Sequence, residues 1–316
     1  MKAKAVLPFI LKTLLLSAIM LAVTMIIGMI RPLSAGEPAA RDEGTIMLLL
    51  FIVTTVYALV IGLVIKNARG SRLQLIIGLI VAFYGVQTVV GQIEAFFFLT
   101  PLGEHMGAGS APVLRMPLDF ILSQLIVWGS VAAVGTPIAV LLFDRRNRHN
   151  RKAIPFLPAW SGQQWLIKMA VVILTYELLY FGFGYFVAWK DPAILEFYQG
   201  TDPGSFWLQL KQVATNTPGL YGLQAFRALL WVGFTLPVIA MIREKGWTGA
   251  FITGLFVSLP MNIPHIIPNP YMPADVRAVH FVETVSSTFI FGIVLFLLFT
   301  SMPRKKQIEP YQNPTT

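Results

Sequence analysis

Seven ionisable side chains lie inside or at the rim of long apolar runs: Glu94, Asp119, Glu177, Arg227, His265, His280 and Glu283. Burying charge in hydrocarbon costs roughly 2.5 to 3.5 kcal/mol per residue on insertion scales, so such residues pair, line a wet cavity, or do work. Their spacing places several on shared helix faces. Tyr84, Gln87, Gly91 and Glu94 recur at helical intervals, as do Glu177, Tyr180 and Gly184, and again Gln224, Arg227 and Trp231. In the last apolar run Arg277, His280, Thr284 and Ser287 form one stripe, with Glu283 one position round and within reach of His280.

A single arginine among three glutamates leaves acid in surplus. At least one carboxylate must then bind a proton, meet a cation or ligate a metal. Read as a solute site, Gln87, Glu94, Glu177, Tyr180, Arg227, Asn262, His280 and Glu283 line a pocket in which Arg227 holds an anionic group. Read as a metal site, Glu94, His265, His280 and Glu283 supply nitrogen and oxygen ligands to a divalent ion such as zinc or iron, and a carboxylate acts as base for a bound water. His280 and Glu283 have the i, i+3 spacing by which one helix offers two ligands. A third use of the residues is structural, with Arg227 in a buried ion pair that only fixes helix packing. Haem ligation by His265 and His280 is a weaker variant of the metal reading. There is no His-Glu-x-x-His, no Asp-rich polyprenyl motif and no Gly-x-Ser-x-Gly. An intramembrane protease of the CAAX type needs paired glutamates followed by arginine, and Gln92-Ile93-Glu94 lacks both the pair and the base.

The elements that must hold these groups are apolar helices. Hydrophobic residues make up 56% of the 316 and charged ones only 12%, about half the share of a typical soluble domain. Eight runs meet the requirement of about 20 apolar residues for a bilayer core about 30 Å thick. They cover residues 8–30, 46–65, 73–99, 117–143, 165–189, 220–242, 247–267 and 278–300. The expectation is an all-α, polytopic bundle forming one transmembrane domain. With no cysteine, disulfides, thiolate nucleophiles and iron–sulfur ligation are excluded.

Lysine and arginine set the orientation. Fifteen fall at the termini and in alternate connections, at Lys2, Lys4, Lys66, Arg69, Arg72, Arg145, Arg146, Arg148, Arg151, Lys152, Arg243, Lys245, Arg304, Lys305 and Lys306. Six fall on the other side, at Arg31, Arg41, Arg115, Lys190, Lys211 and Arg277. The positive-inside rule then puts both termini in the cytoplasm of a bacterial-type inner membrane. The net charge of +9 is a topology signal, and no nucleic-acid partner is expected. Lys12 and Lys168 lie near cytoplasmic helix ends, where they can snorkel. The basic start and Leu33-Ser34-Ala35 outline a signal peptide, but the apolar run exceeds the usual 7 to 15 residues, which favours a retained first span.

The seventh span is proline-broken. From Pro260 to Pro273 the chain has five prolines in fourteen residues, so helix is expected from Trp247 to about Leu259 and irregular backbone beyond. Such backbone at membrane depth lines a cavity or is buried in protein, and interrupted helices mark binding sites in transporters. The longest outer connection, residues 190–219, carries Phe206, Leu210 and Val213 on one helical face, with Trp207 beside them, as in an interfacial helix. Counted from the outer ends, Asp119 and His280 are shallow, Glu94 and Glu283 deeper, Arg227 deeper again and Glu177 near the middle. Polar lining stops there, which argues against a simple ion channel and for an outward-facing pocket. The sequence thus predicts binding or transport of a small polar or anionic solute with proton or cation coupling. A membrane-embedded, metal-dependent enzyme acting on a lipid or extracytoplasmic substrate is the alternative, and an accessory or scaffold protein the third. The partners implied are the bilayer and a small-molecule solute; nothing in the sequence indicates an oligomeric state.

Overall fold

The computed structural model describes residues 6–30, 43–100, 116–144, 153–198, 200–269 and 271–300. Leu33-Ser34-Ala35, Arg31, Arg41, Arg115, the arginine-rich stretch from Arg145 to Lys152 and the basic residues at both chain ends lie outside them. The described chain is helical throughout, without β-strands among the described residues. Its helices are α1 Val6–Ile30, α2 Glu43–Lys66, α3 Arg72–Tyr84, α4 Val90–Leu99, α5 Leu118–Phe143, α6 Gly162–Phe186, α7 Pro192–Phe197, α8 Phe206–Asn216, α9 Gly219–Met241, α10 Trp247–Asn262 and α11 Ala274–Thr300. A π-turn, Gly85–Val89, fuses α3 to α4. Eight helical stretches are long and apolar enough to cross a membrane, from Val6–Ile30 to Ala274–Thr300. Each matches an expected run to within about four residues, because a 20-residue apolar run leaves helix as the only way to satisfy its backbone in lipid.

Local sequence sets the helix starts. Ser71 and Ser161 each accept from the amide three residues on, while Gln74 and Gln164 reach back to close capping boxes at α3 and α6. Asp191 caps α7 ahead of Pro192, and Ser205 caps α8. Gln74 also exchanges hydrogen bonds with the backbone of Ile154, tying the α5–α6 connection to α3.

Glycine governs the closest helix contact. A Cβ on Gly292 of α11 would lie 2.8 Å from the Cα of Gly254 on α10, so these helices pack backbone to backbone, the small-residue mode of membrane helices. Gly85, where the π-turn begins, takes the ring of Phe234 from α9; a Cβ there would overlap the ring atoms. An i→i+5 turn carries one extra residue, so everything after it is rotated relative to a continuous α-helix.

At the seventh span, α10 continues through Pro260 to Asn262 and tightens into a 3₁₀ turn, Ile263–Ile266. Arg277 fastens the connection from this turn to α11, donating to the carbonyls of His265 at 3.1 Å and Met272 at 2.7 Å. The amphipathic helix expected from Phe206, Leu210 and Val213 is α8; these residues pack on Phe97, Phe181 and Leu220, while Trp207 stays 76% exposed. At the other end of the bundle the α2–α3 and α9–α10 connections form a short antiparallel bridge, Ala68 to Ile242, with Arg69 N–H on the Met241 carbonyl at 2.6 Å and Arg243 N–H on the Asn67 carbonyl at 2.8 Å.

The two lysines expected to snorkel are held by protein. Lys12 donates to the Leu142 carbonyl. Lys168 is only 1% exposed; its ammonium donates to the Leu298 carbonyl and lies 4.4 Å from the Trp160 ring centroid. A carbonyl and an aromatic face solvate the charge in place of water.

Candidate functional site

Arg227 is the centre. It lies on α9, 1% exposed, and its guanidinium is held on three sides. Nη2 donates to Glu94 Oε2 at 2.6 Å, Nη1 to Gln224 Oε1 at 2.8 Å, and the Tyr176 ring lies 5.8 Å from Cζ. Gln224 is one turn earlier on α9 and Glu94 comes from α4, so the ion pair joins two elements far apart in sequence. The pair is lopsided: the arginine side chain is 2% exposed and the glutamate 25%. The guanidinium Nε meets no acceptor.

The second cluster is a hydrogen-bonded series joining Tyr198, at the end of α7, to α11. His280 Nδ1 lies 2.8 Å from Glu283 Oε2, and Nε2 lies 3.1 Å from the Tyr198 hydroxyl. The imidazole is thereby held from both sides, by the Glu283 carboxyl at Nδ1 and by the Tyr198 phenol at Nε2. Glu283 is also close to α6: its Oε1 would be 3.7 Å from a Cβ at Gly184, ordinary van der Waals contact. Tyr180 of α6, half-buried, lies within electrostatic reach of Glu94, Arg227 and Glu283. The Tyr198 hydroxyl is pushed well up from its usual range, by burial first and then by the negative charges of Glu283 and Glu94. Two acid–base pairs therefore lie within electrostatic reach of one half-buried phenol.

Of the residues expected in a pocket, Glu94, Tyr180, Arg227, His280 and Glu283 come together. Glu177 does not join them: its charge acts on Tyr221, no ionic partner faces it among the described residues, and its neighbours Leu174 and Leu178 are 67% and 64% exposed. Tyr176, one position earlier, takes the face towards Arg227, because successive helical residues point about 100° apart. Gln87 is also elsewhere. Its amide donates to the Tyr57 hydroxyl of α2 at 3.0 Å while Thr88 donates to its carbonyl oxygen, within the packed core. The π-turn spans Gln87, so the regular stripe from Tyr84 to Glu94 is split. Asn262 is fully buried and donates to the Ser258 carbonyl at 2.9 Å and to Thr288 Oγ1 at 3.1 Å, joining α10 to α11.

The four expected metal ligands do not close on one point. Among the described residues no three His, Asp or Glu side chains are grouped to hold a metal ion. His265 Nδ1 donates to the Asn262 carbonyl at 2.8 Å, and both nitrogens of His280 are engaged by Glu283 and Tyr198. Asp119 is an exposed first-turn residue of α5, well placed against the helix dipole and remote in role from the site.

Tyr176 and Tyr198 belong to the site although neither lies on a polar stripe of the sequence. Tyr176 is legible as the residue four before Tyr180; Tyr198 sits in the connection between α6 and α8 with no periodic signal. The chemical capacity is plain: a buried cation with one free donor, a partly exposed carboxylate that can exchange against it, and an imidazole oriented between acid and phenol. No protein-family model, curated protein or solved structure matches this chain.

Proposed function

We propose that the chain is a bacterial inner-membrane protein, with both termini in the cytoplasm, that binds and transports a small anionic or polar solute at Arg227 with proton coupling. The observation that carries this reading is the asymmetry of the Arg227–Glu94 pair. The guanidinium is buried and keeps an unused Nε donor, while its carboxylate partner remains a quarter exposed. A solute carboxylate or phosphate can take the edge formed by Nε and Nη2 in bidentate fashion, displacing Glu94. Glu94, deprived of its counter-charge beside hydrocarbon, then takes up a proton. Anion and proton enter together. Tyr180 and the His280–Glu283 pair lie next to the exchange and offer the proton a route away from it. In the proposed orientation the entrance faces outside the cell, with α8 beside it.

The test uses purified protein in detergent, titrated with acetate, succinate and inorganic phosphate at about pH 5.5 and about pH 7.5, proton activities about a hundredfold apart. The expected result is a saturable rise in Tm for at least one of these anions, larger at the lower pH. Glu94→Gln should tighten that anion's binding and abolish its pH dependence, since the competitor for Arg227 is gone. Proteoliposomes carrying an internal pH dye should acidify when the stabilising anion is added outside. No anion-dependent rise in Tm across the series, or a rise that Glu94→Gln leaves unchanged, would sink the reading.

A second reading is favoured by the Tyr198–His280–Glu283 series, in which an acid-oriented imidazole faces a hydroxyl. That is a general acid–base arrangement suited to an enzyme acting on a lipid or extracytoplasmic substrate. His280→Gln separates the two: it removes enzymatic turnover outright, whereas anion-induced stabilisation at Arg227 survives it.

A further inference from the structure

Because α10 and α11 meet backbone to backbone at Gly254 and Gly292, larger side chains on their flanks stand up as walls. Between them, at the start of α10, a groove of about 380 Å³ is lined by Trp247, Thr248, Phe251, Ile252 and Ile293. Ile252, 7% exposed, is its deepest residue, and the rings of Trp247 and Phe251, 74% and 54% exposed, form its rim. Phe251 stands edge-on against Phe289 of α11, with ring centroids 5.6 Å apart at 83°, so this wall is set before anything binds. The groove is preformed and its lining is apolar apart from Thr248.

Charge lies at one end of it. Lys245 and Arg243, both exposed, stand two and four residues before Trp247, and the chain turns into α10 at Gly246 with φ 67°. The bridge from Ala68 to Ile242 brings the exposed Arg69 to the same end. Over residues 67–71 and 242–246 the one acid is Glu244, 3.7 Å from Arg243. That end of the groove is therefore net basic.

Basic residues at the end of a membrane helix are by themselves a topology signal. An apolar cleft that starts beside them is something more, since it complements a molecule with an anionic head and a hydrocarbon tail. Free phosphate would leave the groove empty, and a zwitterionic lipid would leave the cations without a net counter-charge. We propose that the groove between α10 and α11 binds an anionic phospholipid, with one acyl chain along Phe251 and Ile293 and the phosphate at Lys245 and Arg243. The site is separate from Arg227 and does not depend on any solute there. Bound in it, the lipid clamps the start of α10 to α11, the helix that carries His280 and Glu283.

Trp247 is the reporter. The full-length protein is reconstituted in vesicles of equal parts phosphatidylglycerol and phosphatidylcholine with matched chains. Bromine, which quenches tryptophan on contact, is placed in the acyl chains of one lipid or the other. Trp247 emission, taken as the difference between the native chain and Trp247→Phe, should be quenched several-fold more by brominated phosphatidylglycerol. Lys245→Gln should bring the two lipids to equal quenching with Tm preserved. Lys66→Gln removes the same charge from the end of α2, beside Phe9, and should leave the preference intact. Equal quenching by both lipids in the native chain overturns the proposal, because it describes ordinary bulk lipid. A preference lost equally in both variants also overturns it, as diffuse charge attraction. Glycerol phosphate, a head group without chains, should not reduce the preference; if it does, the groove takes no part and the proposal falls.

Discussion

The two members of the Arg227–Glu94 pair are not equivalent to mutation. Glu94→Gln leaves a cation buried without its counter-charge and should cost about 2–3 kcal/mol, below the roughly 3–5 kcal/mol of a fully buried pair because Glu94 is partly exposed. Glu177→Gln removes a carboxylate that has no ionic partner among the described residues, and should leave Tm unchanged or raise it. Thermal unfolding of both variants in one detergent checks the ranking, and a larger loss from Glu177→Gln would reverse the assignment of the surplus acid. A separate pair in the connection between α6 and α8 is pH-sensitive. Asp202 accepts from Lys190 Nζ at 2.9 Å and from Gly204 N–H at 2.8 Å, and these hydrogen bonds hold its carboxyl below the usual range. A depressed folded-state value means that the stabilisation is fully present above the ordinary carboxylate range and fades as pH falls through the lower, folded value. Hydrogen exchange at the Gly204 amide should therefore accelerate only under strong acid in the native chain, and already at neutral pH in Asp202→Ala.

Two glycine contacts decide how the helices meet, and each makes a prediction. Gly292→Leu must push α11 off α10, where Gly254 Cα is 2.8 Å from the new Cβ, at a cost of about 1–3 kcal/mol or more. Gly85→Ala collides with Phe234; combining it with Phe234→Ala should recover part of the lost Tm, whereas Phe234→Ala alone should lower it through a cavity. A double variant no more stable than Gly85→Ala would show that the ring is not what the glycine accommodates. At this scale the sequence is informative where periodicity is long. The eight apolar runs are readable because hydropathy accumulates over about 20 residues, and the face of α8 because Phe206, Leu210 and Val213 recur at helical spacing. The π-turn is not, since one extra residue leaves no compositional mark, and it moves Gln87 to Tyr57. Glu177 and Tyr176 differ by a single helical step, a rotation too small for spacing alone to fix which one faces Arg227. Pro260 shows the limit in the other direction: a missing donor near the end of a helix is absorbed by a 3₁₀ turn.

The absence of cysteine makes topology measurable for the whole molecule, because any thiol introduced is the only one. Trp207→Cys on α8 should react with a membrane-impermeant maleimide in intact cells, and Leu157→Cys, in the α5–α6 connection, only after permeabilisation. The opposite pattern would invert the proposed orientation and turn the site towards the cytoplasm. The bridge between Ala68 and Ile242 has a mechanical meaning at this scale. It rivets the α2–α3 and α9–α10 hairpins together at the end remote from Arg227, with two backbone hydrogen bonds flanking side chains that are almost fully buried. A rivet at one end turns relative motion of α9 against α3 and α4 into a lever. Arg227 is about fifteen residues from Ile242, a radius of about 22 Å, so a tilt of about 5° displaces the guanidinium by about 2 Å. That travel is comparable with the whole Arg227–Glu94 contact of 2.6 Å, so a rocking too small to disturb the rivet is enough to make or break the ion pair.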